Sequence, residues 1–253
     1  MTVQRIWVNG REGTRGLEPD EGFFFGRGVF ETIHVTNRAL FLEEHLERMD
    51  NGARFLGIKR QITRETVEKL ITGNGIGNCA LKITLTSANT VMTTRPLPYE
   101  EALCETGISA MMGISRRNAD SRLVSIKSTA YAENLLEREA AAAQGCREAI
   151  LLNGDGFLAE GSASNLFFVR EGVLFTPSAD CGLLPGIVRA FVIRGFPVRE
   201  GRFLLSDLLE ADEVFLTNSL MGVMGVSELT SLQQWKIGPH TRAVQDEYRR
   251  MTS

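Results

Sequence analysis

Lys127 is one of only five lysines set against 23 arginines in a chain of 253 residues. It lies in Ser125-Ile-Lys127-Ser-Thr-Ala-Tyr131, where an apolar, strand-like run gives way to the helical stretch Glu133-Asn-Leu-Leu-Glu-Arg-Glu-Ala-Ala-Ala-Ala. A lysine at the end of a strand is poorly placed to be one more solvated charge. Partial burial disfavours an ammonium ion, and the neutral amine it leaves attacks carbonyl carbon to form a Schiff base. A lysine just before a helix also serves purely structural ends, so residue type alone leaves both readings open.

Four other places carry groups that complement such an amine. Glu160 ends a strand ahead of the small, polar Gly161-Ser-Ala-Ser-Asn165. A carboxylate there either keeps a heterocyclic nitrogen protonated, which turns a pyridine ring into an electron sink, or is an exposed strand-end glutamate. Leu184-Pro-Gly-Ile-Val-Arg189 and Thr217-Asn-Ser219 offer a helix entry and a strand exit. Unpaired N–H groups and the helix dipole attract phosphate, although turns of the same composition are common. Arg48, on a helix after Phe41, has the fork geometry that suits phosphate; most helical arginines are simply solvated.

These residues need elements to position them. Asn9-Gly10 signals a hairpin with a type I′ turn, and Val29 to Val35 alternates Val29, Glu31, Ile33 and Val35 against Phe30, Thr32 and His34. Helices are expected at about 41–55, where Leu42, His45, Leu46 and Met49 share a face, and at 64–71. Strands follow at 80–86 and 107–113, so the first half is α+β. The polar stretch 115–122 has no apolar periodicity and reads as a linker, giving a small N-terminal domain over 1–114 and a larger C-terminal one over 123–253. In the latter a helix at 132–144 precedes strand–turn–strand repeats at 149–160 and 165–176. A helix beginning near Gly186, a strand at 213–217 and a closing helix at 239–251 complete it.

Composition excludes several classes. A net charge of −3 without a basic tail argues against a nucleic-acid binder. No apolar run reaches the ~18 to 20 residues of a membrane span, and the N-terminus reads as a strand rather than a signal peptide, so a cytoplasmic protein is expected. Cys79, Cys104, Cys146 and Cys181 are dispersed, as are His34, His45 and His240. Neither set has metal-ligand spacing, and no metal is expected.

In combination the motifs resemble a known family. Gly26-Arg-Gly-Val-Phe-Glu-Thr32, His45-Leu-Glu-Arg48, Ser125-Ile-Lys127-Ser-Thr-Ala-Tyr131, Leu158-Ala-Glu160-Gly-Ser-Ala-Ser-Asn165, Leu184-Pro-Gly-Ile-Val-Arg189 and Glu213-Val-Phe-Leu-Thr217-Asn-Ser are similar to the ordered signatures of class IV, or fold type IV, pyridoxal 5′-phosphate (PLP) enzymes. The resemblance implies a two-domain α+β fold like that of D-amino-acid aminotransferase, with PLP between the domains and a homodimer completing the site. It implies that Lys127 forms the Schiff base with PLP and that Glu160 pairs with the pyridine nitrogen. Arg48, the backbone at Ile187 and Val188, and Thr217 would bind the phosphate. Tyr131 matches a tyrosine near the cofactor.

Within the family, Phe30-Glu-Thr32, Arg116-Arg-Asn118 and Asn218-Ser-Leu-Met221 look most like 4-amino-4-deoxychorismate lyases, which release pyruvate and 4-aminobenzoate for folate synthesis. Branched-chain and D-amino-acid aminotransferases are the alternatives on the same scaffold, and a non-catalytic metabolite-binding relative is the alternative of another class. The substrate is expected to be a small amino compound. Thr32 and His34 are candidate substrate contacts. Thr84-Leu-Thr-Ser-Ala-Asn89 lacks the Arg-Gly that many relatives carry, leaving Arg95 as a possible source of the missing charge.

Overall fold

The structure is a computed structural model that describes residues 4–100 and 102–252. It divides into two compact units. The first runs to Pro98 and takes back in Ile126–Tyr131, while the second comprises Tyr99–Ser125 and everything from Ala132 onward. The boundary therefore differs from the one expected at 115–122. Ser115, Arg116 and Arg117 lie in a strand of the second unit, held by pairing to a neighbouring strand that local composition does not reveal.

In the first unit, β1 (Arg5–Val8) and β2 (Arg11–Glu12) meet through Asn9 and Gly10, with φ of 49° and 82°. Two successive positive φ values are what a type I′ turn demands. A short α1 (Glu21–Phe25) leads to β3 (Val29–Val35), and α2 (Leu42–Phe55) and α3 (Arg64–Gly73) precede β4 (Cys79–Leu85) and β5 (Thr90–Arg95). The sheet is antiparallel in the order β2-β1-β5-β4-β3. Alternation along a strand sends side chains to opposite faces. One face buries Ile33, Val35, Leu81, Ile83, Leu85 and Met92 against Leu46 and Met49 of α2 and Val67 of α3. The other carries Phe30, Thr32 and His34 from β3, Lys82 from β4 and Arg95 from β5.

The second unit begins with α4 (Leu103–Thr106), β6 (Ile108–Arg117), α5 (Ala132–Ala143), β7 (Glu148–Asn153), β8 (Leu158–Gly161), β9 (Asn165–Arg170) and β10 (Val173–Pro177). It continues with α6 (Ile187–Gly195), β11 (Val198–Gly201), α7 (Leu205–Leu209), β12 (Glu213–Asn218), β13 (Gly222–Leu229), β14 (Gln233–Gln234) and α8 (Pro239–Thr252). Its nine-stranded sheet runs β11-β10-β9-β12-β13-β6-β7-β8, with β14 on β13. β6 and β7 are parallel and α5 supplies the crossover such a pair requires. Phe168, Leu158, Leu166, Val214, Leu216 and Val226 form the core. Among the described residues no helix is long and apolar enough to cross a membrane, and no His, Cys, Asp and Glu group could hold a metal ion.

Candidate active site

Lys127 does not end a strand. Its segment is an irregular stretch bonded to the edge of β3: the Phe30 N–H donates to the Lys127 carbonyl at 2.9 Å, and the Thr129 N–H to the Gly28 carbonyl at 2.9 Å. The Thr129 hydroxyl adds a bond to the Gly26 carbonyl at 2.7 Å. This approach explains the glycines of Gly26-Arg-Gly28. A Cβ on Gly28 would stand 2.9 Å from Thr129 Oγ1, and Gly26 has a φ of 67°, a backbone conformation that glycine adopts without steric penalty. The Lys127 Nζ lies 4.7 Å from the centre of the Phe30 ring and 5.6 Å from that of Tyr131. The two rings meet edge to face at 5.1 Å, so the amine sits against aromatic surfaces that favour a cation.

On the other face of β3, Glu31 is 1 % exposed among apolar neighbours. Arg48 grips it with two bonds, Nε to Oε1 at 2.7 Å and Nη2 to Oε2 at 2.8 Å. His45 Nδ1 lies 2.7 Å from Oε2. Burial alone would raise the Glu31 carboxyl, but the charge of Arg48 and the His45 contact overcome it and hold the group at about 2. Burial pushes His45 below its ordinary value despite Glu31, and the charges of Arg48 and Lys127 push the same way. His45 is therefore neutral near pH 7, with its Nδ1–H donating to an ionised Glu31.

In the second unit, Glu160 is buried at the end of β8. Its Oε2 accepts the Leu184 N–H at 3.0 Å, and its Oε1 lies 3.1 Å from Arg117 Nη2. The loop that follows is fixed from behind by Glu148, which is buried and accepts the Ser162 and Ser164 hydroxyls and the Ala163 N–H. Asn165 Nδ2 donates to the Leu184 carbonyl at 2.8 Å. A Cβ on Gly186 would collide with Asn165 Oδ1, so only glycine lets the loop close onto this amide. Gly186 caps α6 without a side-chain bond, which leaves the first N–H groups, including those of Ile187 and Val188, to an outside acceptor. Thr217 pairs with Asn165 across β12 and β9. Among the described residues its Oγ1 is buried with no hydrogen-bond partner. An orphaned hydroxyl in register with Asn165, whose amide abuts the start of α6, fits a phosphate oxygen.

The candidate residues thus fall into two groups. Lys127, Tyr131, Arg48, Thr32 and His34 belong to the first unit, with Lys127 and Tyr131 meeting at Phe30. Glu160, Ile187, Val188 and Thr217 belong to the second, linked through Leu184, Asn165 and Gly186. Sequence reading missed Glu31, although a lone acid on the apolar face of a strand was a visible signal. It also missed Arg117 as the Glu160 partner, because polar neighbours disguise the end of β6. Glu148 gave no local sign.

The pattern of class IV amino-transferases matches residues 28–229, and the chain belongs to that family, whose members are PLP-dependent enzymes. It is 28% identical to the aminodeoxychorismate lyase of Bacillus subtilis, over 97% of this chain and 94% of that protein. It is 32% identical to the D-alanine aminotransferase of Listeria monocytogenes, over 95% and 92%. The branched-chain aminotransferase structure from Thermoproteus uzoniensis superposes with a TM-score of 0.86 at 27% identity, covering 97% of this chain and 93% of that one. The expected fold type IV architecture is therefore established, and the similar proteins span three activities.

Proposed function

We propose that the protein is a PLP-dependent lyase of the 4-amino-4-deoxychorismate type, in which Lys127 is the amine that takes the cofactor aldehyde. PLP, when bound, supplies an electron sink that acidifies the carbon bearing the substrate's amino group. The residues present suit it. The N–H groups of Ile187 and Val188 and the Thr217 hydroxyl would hold phosphate, and Arg48, its fork oriented by Glu31, would add charge. Glu160 would keep the ring nitrogen protonated, and Tyr131 would back Lys127. The freed Lys127 amine then removes the proton from the amino-bearing carbon of the substrate. That electron pair breaks the neighbouring carbon–oxygen bond and makes the ring aromatic; the enolpyruvate released takes up the proton held on Lys127, so that pyruvate and 4-aminobenzoate would be the products.

The observation that carries the lyase reading is the turn after Thr217. Asn218 Oδ1 accepts the Leu220 and Met221 N–H groups at 2.9 Å each, and its Nδ2 donates to the Ala163 carbonyl at 3.1 Å. The asparagine of the lyase-like Asn218-Ser-Leu-Met221 thus joins the Thr217 strand end to the loop after Glu160. The D-alanine aminotransferase relative supports the rival, transamination of a D- or branched-chain amino acid. Purified protein is expected to be yellow, and borohydride reduction to fix the cofactor on Lys127 by peptide mapping. Aminodeoxychorismate should then yield equal amounts of pyruvate and 4-aminobenzoate. Transamination of D-alanine or a branched-chain amino acid with 2-oxoglutarate, without pyruvate release from aminodeoxychorismate, would remove the lyase reading. A colourless protein unchanged by Lys127→Ala would mark a non-catalytic relative. The same reading includes cytoplasmic location and a homodimer.

A further inference from the structure

We infer that Glu137 is a positioning residue: from α5 it holds the bulge of β6 that sets Arg117 beside Glu160, the carboxylate assigned to the cofactor ring. The inference deepens the PLP reading above and rests on it for what Glu160 does. β6 pairs with β7 regularly from Ala110 to Met112, opposite Glu148 to Ile150, and again at Arg116 and Arg117, opposite Leu152 and Asn153. Between these stretches Gly113, Ile114 and Ser115 stand against the single residue Leu151. On its other side Leu151 pairs with Glu160, so the bulge lies level with that carboxylate. Its two extra residues draw Arg117 back along the ladder by two positions, about 7 Å at the rise of a strand. With regular pairing Arg117 would stand opposite Asp155, in the turn beyond β7, instead of Asn153.

Apolar burial does not hold this bulge, since Ile114 is 77% exposed. Glu137 does: it is buried, and its Oε2 and Oε1 accept the Ile114 and Ser115 N–H groups at 3.0 and 2.7 Å. Burial alone would raise the Glu137 carboxyl, but the Ser115 hydroxyl and the two N–H groups outweigh it and hold the group below its ordinary value. Glu137 is therefore ionised near pH 7, and both bonds are charge-assisted. Gly113 makes room for the arrangement, since a Cβ there would stand 2.9 Å from Glu137 Oε2 and overlap the Leu151 side chain. Arg117 Nη2 then reaches Glu160 Oε1 at 3.1 Å. The other Arg117 contacts are long: Nε to the Gly182 carbonyl at 3.4 Å, Nη1 to Asn134 Oδ1 at 3.5 Å, and Nη1 to Glu133 Oε2 at 3.6 Å. Contacts of that length hold a guanidinium weakly, so the backbone position set by the bulge decides where the cation stands.

Fluorescence titration of the apoprotein with PLP tests this, with circular dichroism as the control for folding. Glu137→Gln keeps the side chain's shape but turns an amide N–H₂ toward one of the two donors. It should weaken PLP binding about tenfold, the worth of one charge-assisted hydrogen bond. Gly113→Ala disturbs the bulge from within β6 and should act in the same direction. In an Arg117→Met background Glu137→Gln should change the affinity by less than about twofold, because the two residues act in series. The visible band of the bound cofactor should move the same way in Glu137→Gln as in Arg117→Met, which a purely structural role for Glu137 would not produce. Equal losses of affinity in both backgrounds, or a Glu137→Gln protein that binds PLP like wild type, overturns the inference. A wild type that takes up no PLP would sink the PLP reading instead. The ¹⁵N side-chain resonance of Arg117 in the apoprotein would then decide the role of Glu137: a shift in both Glu137→Gln and Glu160→Gln supports it, and no shift in Glu137→Gln overturns it.

Discussion

Glu31 shows how one residue governs a neighbourhood. It occupies an apolar-face position of β3, yet its carboxylate fixes the guanidinium of Arg48 and the tautomer of His45. Glu31→Gln leaves a partly buried arginine without its counter-charge, and removing one partner of a buried pair costs at most about 3 to 5 kcal/mol. The expected outcome is a large fall in the urea midpoint together with weaker PLP binding. The pH response follows from the same cluster. Glu31 has a depressed folded value, about 2, so its contribution is complete above the ordinary carboxylate range and is lost as pH falls toward 2. His45 is depressed too, so below its ordinary 6.5 the unfolded chain takes up a proton that the folded one refuses. Stability should therefore start to decline as pH drops below about 6.5 and fall faster below about 4.5. Urea midpoints flat from pH 7 to 4 would contradict this assignment.

Among elements, the start of α6 is the most constrained by its surroundings. Gly186→Ala would drive Asn165 from the Leu184 carbonyl and shift the N–H groups of Ile187 and Val188. Overpacking of this kind costs about 1 to 3 kcal/mol, and PLP affinity should fall more than the melting temperature does, as fluorescence titration of the apoprotein can show. Arg117→Met tests the other end of the same loop: without its cation Glu160 should hold the cofactor ring less firmly, shifting the visible band and its pH profile, while Arg117→Lys restores part of both. Much of this was legible beforehand. The alternation of β3, the turn at Asn9-Gly10, the entry at Gly186 and the strand–turn–strand repeats all follow local rules, and the structure keeps them within a residue or two. β5 was not legible, because Thr90-Val-Met-Thr-Thr-Arg95 is too polar to announce a strand and exists by pairing with β1 and β4. The polar end of β6 hid for the same reason. Lys127 was found by type but misplaced in kind, since its backbone is fixed by bonds to β3 nearly a hundred residues earlier.

At the scale of the molecule, apolar surface is spent unevenly. Phe23, Phe24 and Phe25 are 73%, 61% and 79% exposed in the first unit, and Ile114, Leu135 and Leu136 are exposed in the second. Three consecutive solvent-facing phenylalanines are a poor bargain for a lone chain and support the proposed dimer. Phe23→Ser combined with Phe24→Ser should shift the protein toward monomer in sedimentation velocity; an unchanged dimer would place the contact elsewhere.

The return of Ile126–Tyr131 to the first unit bears on how the protein is made. A ribosome finishes β1 to β5 long before it delivers Lys127, so the first unit waits, incomplete at the edge of β3, until the chain doubles back. No cut at a single point yields the first unit with its amine and without part of the second. A fragment ending at Pro98 would present bare β3 edge and Phe30, and the missing piece is short enough to be supplied as a separate peptide. The amine is thereby scheduled: it reaches its place only after Tyr99–Ser125 of the second unit has been made.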